Sequence, residues 1–146
     1  MTLLAMLLAA SVAQAGAPAA APHSTEEITV VKLKDAKYAP NTAKGVPPGV
    51  SGSPVGVDPT TKGPTGYTKF AAGTKFPEHT HTYTEYSALV QGNATLTIND
   101  KSYELSAGDY AIIPGKTPHS LTCHPDGDCV QLTRRAGAND YTFTGK

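Results

Sequence analysis

Three histidines and one glutamate are the residues of this chain whose types and spacing best suit metal chemistry. His79 and His81 are two residues apart, a spacing that places both side chains on the same face of a β-strand. Glu85 follows at an even offset, which keeps that face on a straight strand, and His119 arrives from a separate segment. Imidazole nitrogens and a carboxylate oxygen suit a borderline or hard divalent ion. Taken alone, an HxH pair also fits two ordinary surface residues.

The segment around these residues, Gly73 to Gly92, reads GTKFPEHTHTYTEYSALVQG. Its glycines, its HxH pair and its glutamate are spaced as G-x5-H-x-H-x3-E-x6-G. This spacing resembles the first sequence motif of the cupin superfamily at every fixed position.

A second segment resembles the second cupin motif, G-x5-P-x-G-x2-H-x3-N, at Gly108, Pro114 and His119. It departs from that motif twice, because the glycine is Gly115, one place early, and Cys123 stands where the motif has asparagine. We expect the shifted glycine to alter only the turn. The missing asparagine removes no metal ligand of the family pattern, but it changes the surroundings of the site.

The resemblance implies an all-β fold of the cupin type, a double-stranded β-helix in which two antiparallel sheets form a small jelly-roll barrel. It also implies that His79, His81, Glu85 and His119 bind one divalent metal ion inside the barrel, near one mouth. These ligands leave two positions of an octahedron for water, dioxygen or a chelating substrate. The set accommodates manganese, iron, cobalt, nickel, copper or zinc. The alternative is a degenerate cupin that keeps the four residues and holds no metal.

Short strand-like runs separated by Gly, Pro, Asn and Asp fill the chain beyond Gly66, and this pattern predicts an all-β sandwich or barrel. The predicted strands there are Tyr67–Ala71, Glu85–Val90, Ala94–Ile98, Ser102–Leu105, Tyr110–Ile113, His119–Cys123, Val130–Thr133 and Tyr141–Thr144. Before Gly66, Ile28–Lys34 is predicted as the first strand. Val55–Val57 is predicted as a short strand within the Pro- and Gly-rich segment that follows.

Residues 1–15 are predicted as a cleaved signal peptide, with a flexible tail over 16–26 and a cupin domain over 27–146. The run from Leu3 to Val12 is apolar but too short to span a bilayer, and Ala13-Gln14-Ala15 is a small-x-small cleavage site. No Lys or Arg precedes the run, so an upstream start or an ordinary Ala/Leu-rich helix are alternatives. The prediction is export, periplasmic or secreted, without a stable membrane anchor.

Composition and charge narrow the expected partners. The chain has 39% hydrophobic and 16% charged residues, 14 Gly and 12 Pro, as in a turn-rich globular protein. Its net charge is zero with His neutral, which gives no electrostatic footprint for nucleic acid or an anionic membrane, and no nucleic-acid partner is expected. The expected partners are a small-molecule ligand or substrate and a second copy of the chain. We expect that homodimer to form through Ile28–Lys34, because sheet edges readily pair.

Cys123 and Cys129 flank HPDGD, a turn-forming sequence. If Asp126-Gly127 is the tip of a hairpin, the cysteines lie nearly opposite each other and within disulfide reach. Export permits oxidation, and a disulfide is the prediction. A thiolate metal ligand or two inert buried thiols are the alternatives.

Three functions stay open from the sequence. The first is a metal-dependent oxidoreductase, similar to dioxygenase cupins, that acts on a small oxygenated compound, with Glu85 as a proton shuttle if it detaches during turnover. The second is an exported protein that binds or senses a metal or small ligand without turnover. The third is a non-redox isomerase or lyase that uses the metal as a Lewis acid. Arg134-Arg135 could recognise an anion, but a solvated strand end is the preferred interpretation.

Overall fold

Runs of β-branched and aromatic residues between turn residues form the strands of this chain. The structure is a computed structural model that describes residues 28–145. Its strands are β1 (Ala39–Pro40), β2 (Val50–Val57), β3 (Pro64–Phe70), β4 (Lys75–Thr80), β5 (Glu85–Gln91), β6 (Asn93–Ile98), β7 (Lys101–Ser106), β8 (Tyr110–Ile113), β9 (His119–Cys123), β10 (Cys129–Arg135) and β11 (Thr142–Phe143). Apart from a 3-10 turn at Leu33–Asp35, this part of the chain contains no helix. The all-β prediction is confirmed.

The strands form two antiparallel sheets with a shared core. One sheet has the order β1-β2-β3-β10-β5-β8 and the other the order β11-β4-β9-β6-β7. Strands that follow each other in the chain often lie in different sheets, as β4 and β5 do, and likewise β9 and β10. This is the connectivity of a jelly roll, and it confirms the predicted architecture.

The core lies between the sheets and takes every second residue of the central strands. In β5, Glu85, Ser87 and Leu89 are buried, whereas the residues between them are only partly buried. The buried apolar residues are Val50, Phe70, Phe76, Leu89, Ala94, Leu96, Ile113, Leu121, Cys123, Cys129 and Val130. Glu85 therefore lies in the same inward row as Leu89, and a carboxylate buried in this way needs charged or hydrogen-bonding partners.

The predicted strand at Ile28–Lys34 is wrong. Residues 28–32 have no regular structure, and the 3-10 turn follows directly. Ile28 and Val30 are 89% and 77% exposed, because no neighbouring strand covers the β-branched side chains that suggested a strand. The predicted signal peptide and tail lie outside the described residues. Between residues 28 and 145, no helix is long and apolar enough to cross a membrane.

The Pro- and Gly-rich segment before Gly66 contains more strand than the sequence predicted. Val55–Val57 is indeed extended, as the end of the longer strand β2, which pairs with β3 along its length. The register shifts between Pro54 and Gly56, as expected where a proline interrupts the hydrogen-bond ladder. These two strands form one wall of the cleft described below.

Cys123 and Cys129 form a disulfide, as predicted, but not across a hairpin. Cys123 ends β9 in one sheet and Cys129 begins β10 in the other. Their Cα atoms are 5.7 Å apart, within the usual disulfide range. The bond therefore links the two sheets of the barrel, and the predicted pairing of these two strands is wrong.

Candidate metal centre

The four predicted ligands come from both sheets and meet between them. His79 in β4 lies directly opposite His119, the first residue of β9. His81 follows the last residue of β4, and Glu85 begins β5 in the other sheet. All four side chains are buried, with 3–5% of each residue exposed. The structure thus brings these four residues together.

Glu85 reaches the site through a change of sheet and not along a straight strand. Residues 82–84 have no strand structure and connect β4 to β5. The even offset that suggested a shared face therefore does not explain the position of Glu85. Its side chain points inward because it begins the buried row of β5.

The polar atoms of the four side chains lie close together. Nε2 of His79 is 3.1 Å from Nε2 of His81, and the ligand atoms of the three histidines all lie within 4.8 Å of one another. Oε2 of Glu85 is 3.2 Å from Nε2 of His81 and 3.7 Å from Nε2 of His119. Three imidazoles at these distances can share one metal ion, with the carboxylate beside them.

The outer nitrogen of each ring faces a main-chain carbonyl oxygen. Nδ1 of His79 lies 2.8 Å from the Pro77 oxygen, and Nδ1 of His119 lies 2.9 Å from the Thr117 oxygen. Nδ1 of His81 faces the Asp140 oxygen. A carbonyl oxygen can only accept, so each Nδ1 carries the hydrogen and each Nε2 presents a lone pair.

This arrangement of lone pairs fits a divalent cation. Nε2 of His119 is buried, and among the described residues it has no hydrogen-bond partner. Buried polar atoms rarely remain unpaired, and a metal ion is a natural partner for a neutral imidazole nitrogen whose other nitrogen donates to a carbonyl.

Two contacts fix the chain around His81. The Asp140 carboxylate accepts a hydrogen bond from the Thr82 N–H at 3.0 Å and another from the Thr82 hydroxyl. These bonds lower the pKa of Asp140, although its slight burial acts to raise it. They hold the segment whose carbonyl oxygen faces His81.

The turn between β8 and β9 explains the shifted glycine of the second motif. A Cβ on Gly115 would lie 2.4 Å from the Thr82 carbonyl oxygen, so only glycine fits this approach. Lys116, at the position where the motif has glycine, has a φ of 65°. Its N–H donates to the His81 carbonyl oxygen at 2.7 Å. The shifted glycine therefore alters the turn, as expected. This turn packs directly against the HxH segment.

The pKa values of two of the predicted ligands show the effect of burial and of neighbouring charges. Burial, together with the neighbouring His119 ring, lowers the pKa of His79 to about 3. Burial alone would raise the pKa of Glu85, but contacts with the His119 and His81 rings and the charge of Arg135 hold it well below its ordinary value. His79 is thus neutral and Glu85 ionised at neutral pH, as metal ligands must be.

Arg135 belongs to the site, and the prediction of a solvated strand end is wrong for this residue. It is only 6% exposed and lies opposite Glu85 in the β10–β5 pair. Its Nη1 forms an ion pair with Glu85, and its Nη2 donates to Nε2 of His81 at 2.9 Å. Alternation along β10 was the available signal, because one of two adjacent arginines on a strand must face inward.

Aromatic side chains close the site on its β4 side. The rings of Phe76 and Tyr141 lie 4.8 and 5.8 Å from the ring of His79, and Phe143 is also 5.8 Å away. Phe76 is also part of the buried core. These rings exclude water from one side of the histidines.

Two cavities adjoin at the site. The inner cavity, of about 30 Å³, is lined by His79, Glu85, His119 and Arg135 together with core residues, and it is large enough for an ion or a water molecule. The outer cleft, of about 540 Å³, runs along β2 and β3 and has the size of a small-molecule site. Both are lined by Thr68, Thr133, Arg135 and Tyr141.

Other polar side chains lie away from the site. His124 pairs with Glu104 at 3.2 Å on the partly exposed surface. The Asp109 carboxylate accepts from the Ser106 N–H at 2.8 Å and so stabilises the turn before β8.

Comparison with known proteins agrees with this geometry. Residues 66–133 match the sequence model of the family Cupin_2, the cupin domain. This chain is 47% identical to quercetin 2,3-dioxygenase of Bacillus subtilis (strain 168) over 49 residues, which are 33% of its length. That match covers only 14% of the dioxygenase.

Solved structures resemble the fold over most of its length. KdgF from Halomonas sp. superposes with a TM-score of 0.64 at 19% identity, over 80% of this chain and 98% of KdgF. The polyketide cyclase RemF from Streptomyces resistomycificus gives 0.67 at 15% identity, over 82% and 87%. Together with the family match and the motif residues, this fold makes the chain a member of the cupin superfamily. Its three-histidine cluster suits a divalent metal ion.

Proposed function

We propose that this chain binds one divalent metal ion through His79, His81, Glu85 and His119, and acts on a small oxygenated organic ligand. The observation that carries the proposal is the convergence of three buried Nε2 lone pairs, each fixed by a main-chain carbonyl oxygen at Nδ1. A set of acceptors without hydrogens to donate is stable only around a cation or a donor.

The chemistry divides between the ion and the chain. When bound, a divalent ion supplies Lewis acidity and, if it is redox-active, electron transfer. The histidines hold and orient it. Glu85, ionised and buried, can also accept a proton from a ligand if its carboxylate detaches, and the aromatic residues beside His79 keep bulk water away.

An oxidoreductase of the dioxygenase type is the reaction class we favour. The local identity with a quercetin 2,3-dioxygenase supports it, although that match covers a small part of the dioxygenase. The test is elemental analysis of the protein purified with its native metal, followed by dioxygen uptake with flavonols, catechols and hydroxy acids. A redox metal with dioxygen consumption supports this class, whereas turnover without dioxygen on a zinc or nickel protein points to an isomerase or lyase.

A binding protein without turnover is the second candidate, and one observation favours it. Among the described residues that line the two cavities, Glu85 is the only carboxylate. Acid–base catalysis often uses two groups with different pKa values, and the second is not evident. Stoichiometric zinc with tight ligand binding and no product would favour this function.

We also propose that the protein is exported and forms a homodimer. The disulfide between the sheets supports export, because such bonds persist in oxidising compartments. The dimer cannot use an edge strand at Ile28–Lys34, since that segment is not a strand. Sedimentation tests the assembly, and a monomer at high micromolar concentration would contradict the dimer.

A further inference from the structure

We infer that Arg135 and the outer cleft form a binding subsite for an organic carboxylate whose acidic end faces the metal centre. The inference rests on the proposed function, because it names the class of ligand that this metal centre receives.

Arg135 stands at the junction of the two cavities. It lines the inner cavity with His79, Glu85 and His119, and it lines the outer cleft as well. A ligand that fills the cleft and extends toward the histidines must therefore pass its guanidinium. Thr133 and Tyr141 share this position and offer hydroxyl groups beside it.

The charge of the outer cleft favours an anion. Of the described residues that line it, Arg135 alone carries a charge, so no carboxylate there repels an acidic ligand. A guanidinium offers two parallel N–H groups that match the two oxygens of a carboxylate. Because Arg135 is buried, water screens this attraction less than at an exposed site.

The net charge of the proposed metal centre also favours an anionic ligand. A divalent ion, the Arg135 cation and the Glu85 anion together leave an excess of about two positive charges, since His79 is neutral and the other ligating imidazoles must also be neutral. Buried charge in excess is costly. A carboxylate ligand lowers the excess, whereas a neutral ligand leaves it unchanged.

Arg135 has donors available for such a ligand. Its buried Nη1 carries two hydrogens, of which the ion pair with Glu85 needs only one. Its Nη2 uses the lone pair of His81 Nε2, the same lone pair that a metal ion would take. Metal binding and this hydrogen bond therefore exclude each other, and a held metal frees Nη2 for the ligand.

The walls of the cleft indicate what the carboxylate is attached to. Pro54, Val55, Pro64 and Tyr67 line it along β2 and β3. Proline, valine and the tyrosine ring offer surface on which an apolar body can pack. Benzoate is a probe with both features, and benzamide is its neutral counterpart of nearly the same shape.

Arg134 provides a matched control, because it is the neighbouring residue on the opposite face. Its Nη2 pairs with Asp58 at 3.1 Å, and its guanidinium lies 5.6 Å from the centre of the Tyr86 ring. Arg134→Gln therefore removes an arginine from the same strand without touching the cavity.

The experiment is calorimetric titration of the zinc-loaded full chain with benzoate and with benzamide, with the zinc content measured for every variant. We expect the wild type and Arg134→Gln to bind benzoate at least about tenfold more tightly than benzamide. Arg135→Gln should keep its zinc and lose this preference. Arg135→Lys keeps the positive charge but loses the two parallel N–H groups of the guanidinium, and it should weaken benzoate binding by about tenfold.

The outcomes separate the two proposals. A wild type that holds no zinc overturns the proposed function, and the subsite with it. A zinc-loaded wild type without preference for benzoate overturns the subsite alone, as does a zinc-loaded Arg135→Gln that keeps the wild-type preference. If Arg135→Gln does not fold, Arg135→Lys decides, and benzoate affinity equal to that of the wild type contradicts the inference.

Discussion

Nδ1 of His81 donates its hydrogen to the main-chain oxygen of Asp140, 59 residues further along the chain. The other two histidines make the equivalent contact with a residue two positions before them. His81 is therefore the proposed ligand whose orientation depends on a distant segment, the one that leads into β11. The candidate metal site depends on that segment as well as on the HxH segment.

Replacement of His81 by alanine should greatly reduce metal retention while the barrel stays folded. The change removes one of the four donors of the proposed site. Loss of a side chain that contacts the metal should lower metal affinity by more than the roughly ten- to hundredfold that follows loss of a residue hydrogen-bonded to a ligand. Metal content after dialysis measures it. His124→Ala is the control, because that imidazole lies at the surface. Wild-type metal affinity in the His81 variant would show that the site is wrongly assigned.

Asp140→Ala should weaken metal binding by about tenfold or more without removing a ligand. The change deletes both hydrogen bonds to Thr82 and so loosens the carbonyl oxygen that orients His81. Competition with a metal chelator measures the affinity. Asp35→Ala, an exposed carboxylate remote from the site, should behave as the wild type. An Asp140 variant with unchanged affinity would mean that the main chain holds this position unaided.

Metal-free protein should lose stability as the pH falls below about 6.5. The pKa of His79 is lowered from 6.5 to about 3 in the folded chain, so between these values the unfolded chain binds a proton that the folded chain does not. The free energy of unfolding then decreases by up to about 1.4 kcal/mol per pH unit from this residue. Glu85, with its lowered pKa, adds to the loss only below 4.5.

Urea unfolding from about pH 7 to about pH 5 measures this dependence. The His79→Gln variant is the comparison, since it cannot take up the proton. Its stability should change less steeply with pH than that of the wild type. Parallel curves for the two proteins would contradict a lowered pKa at His79.

Loss of the Cys123–Cys129 disulfide should destabilise the protein by about 2 kcal/mol, as expected for a cross-link that closes a short loop. Thermal unfolding of the wild type and of the Cys123→Ala/Cys129→Ala double variant measures the difference. The bond anchors the end of β9, the strand that begins with His119, so metal affinity should fall as well. Peptide mapping without reductant should find the two cysteines linked within one chain, and two freely alkylated thiols would contradict the bond.

Protein recovered from its native host should begin at Gly16. The cleavage site Ala13-Gln14-Ala15 predicts this terminus, and intact mass measurement checks it. Recovery from the periplasm or medium with Met1 retained would contradict cleavage, and a cytosolic location would contradict export.

Where the signal is local, the sequence predicted several strands well, and it singled out four side chains that the structure brings together. The HxH spacing, the glutamate and the fixed glycines lie within one short segment, and the strand limits of Tyr110–Ile113 and His119–Cys123 agree with the structure. Alternation and turn residues act over a few positions, and they suffice to define such elements.

Pairing between strands could not be predicted in the same way. Asp126-Gly127 has the composition of a hairpin turn, yet β9 and β10 separate into different sheets, because a jelly roll pairs strands that are distant in the chain. The β-branched run at Ile28–Lys34 likewise lacks a partner strand. Arg135 was misjudged for a related reason: alternation indicates that one of the two adjacent arginines faces inward, but only the register opposite Glu85 shows that it is Arg135.

The carbonyl acceptors at Pro77, Thr117 and Asp140 belong to the main chain, and every amino acid supplies the same oxygen. The side chains of Pro77 and Thr117 can therefore drift over evolutionary time while the imidazoles keep their tautomers, provided that the backbone path is retained. The Asp140 side chain differs, because its carboxylate also holds its own segment to Thr82. Mutational tolerance here is a property of the scaffold. Relatives with little sequence in common can thus inherit the same donor geometry, and sequence comparison will record the histidines but not what orients them.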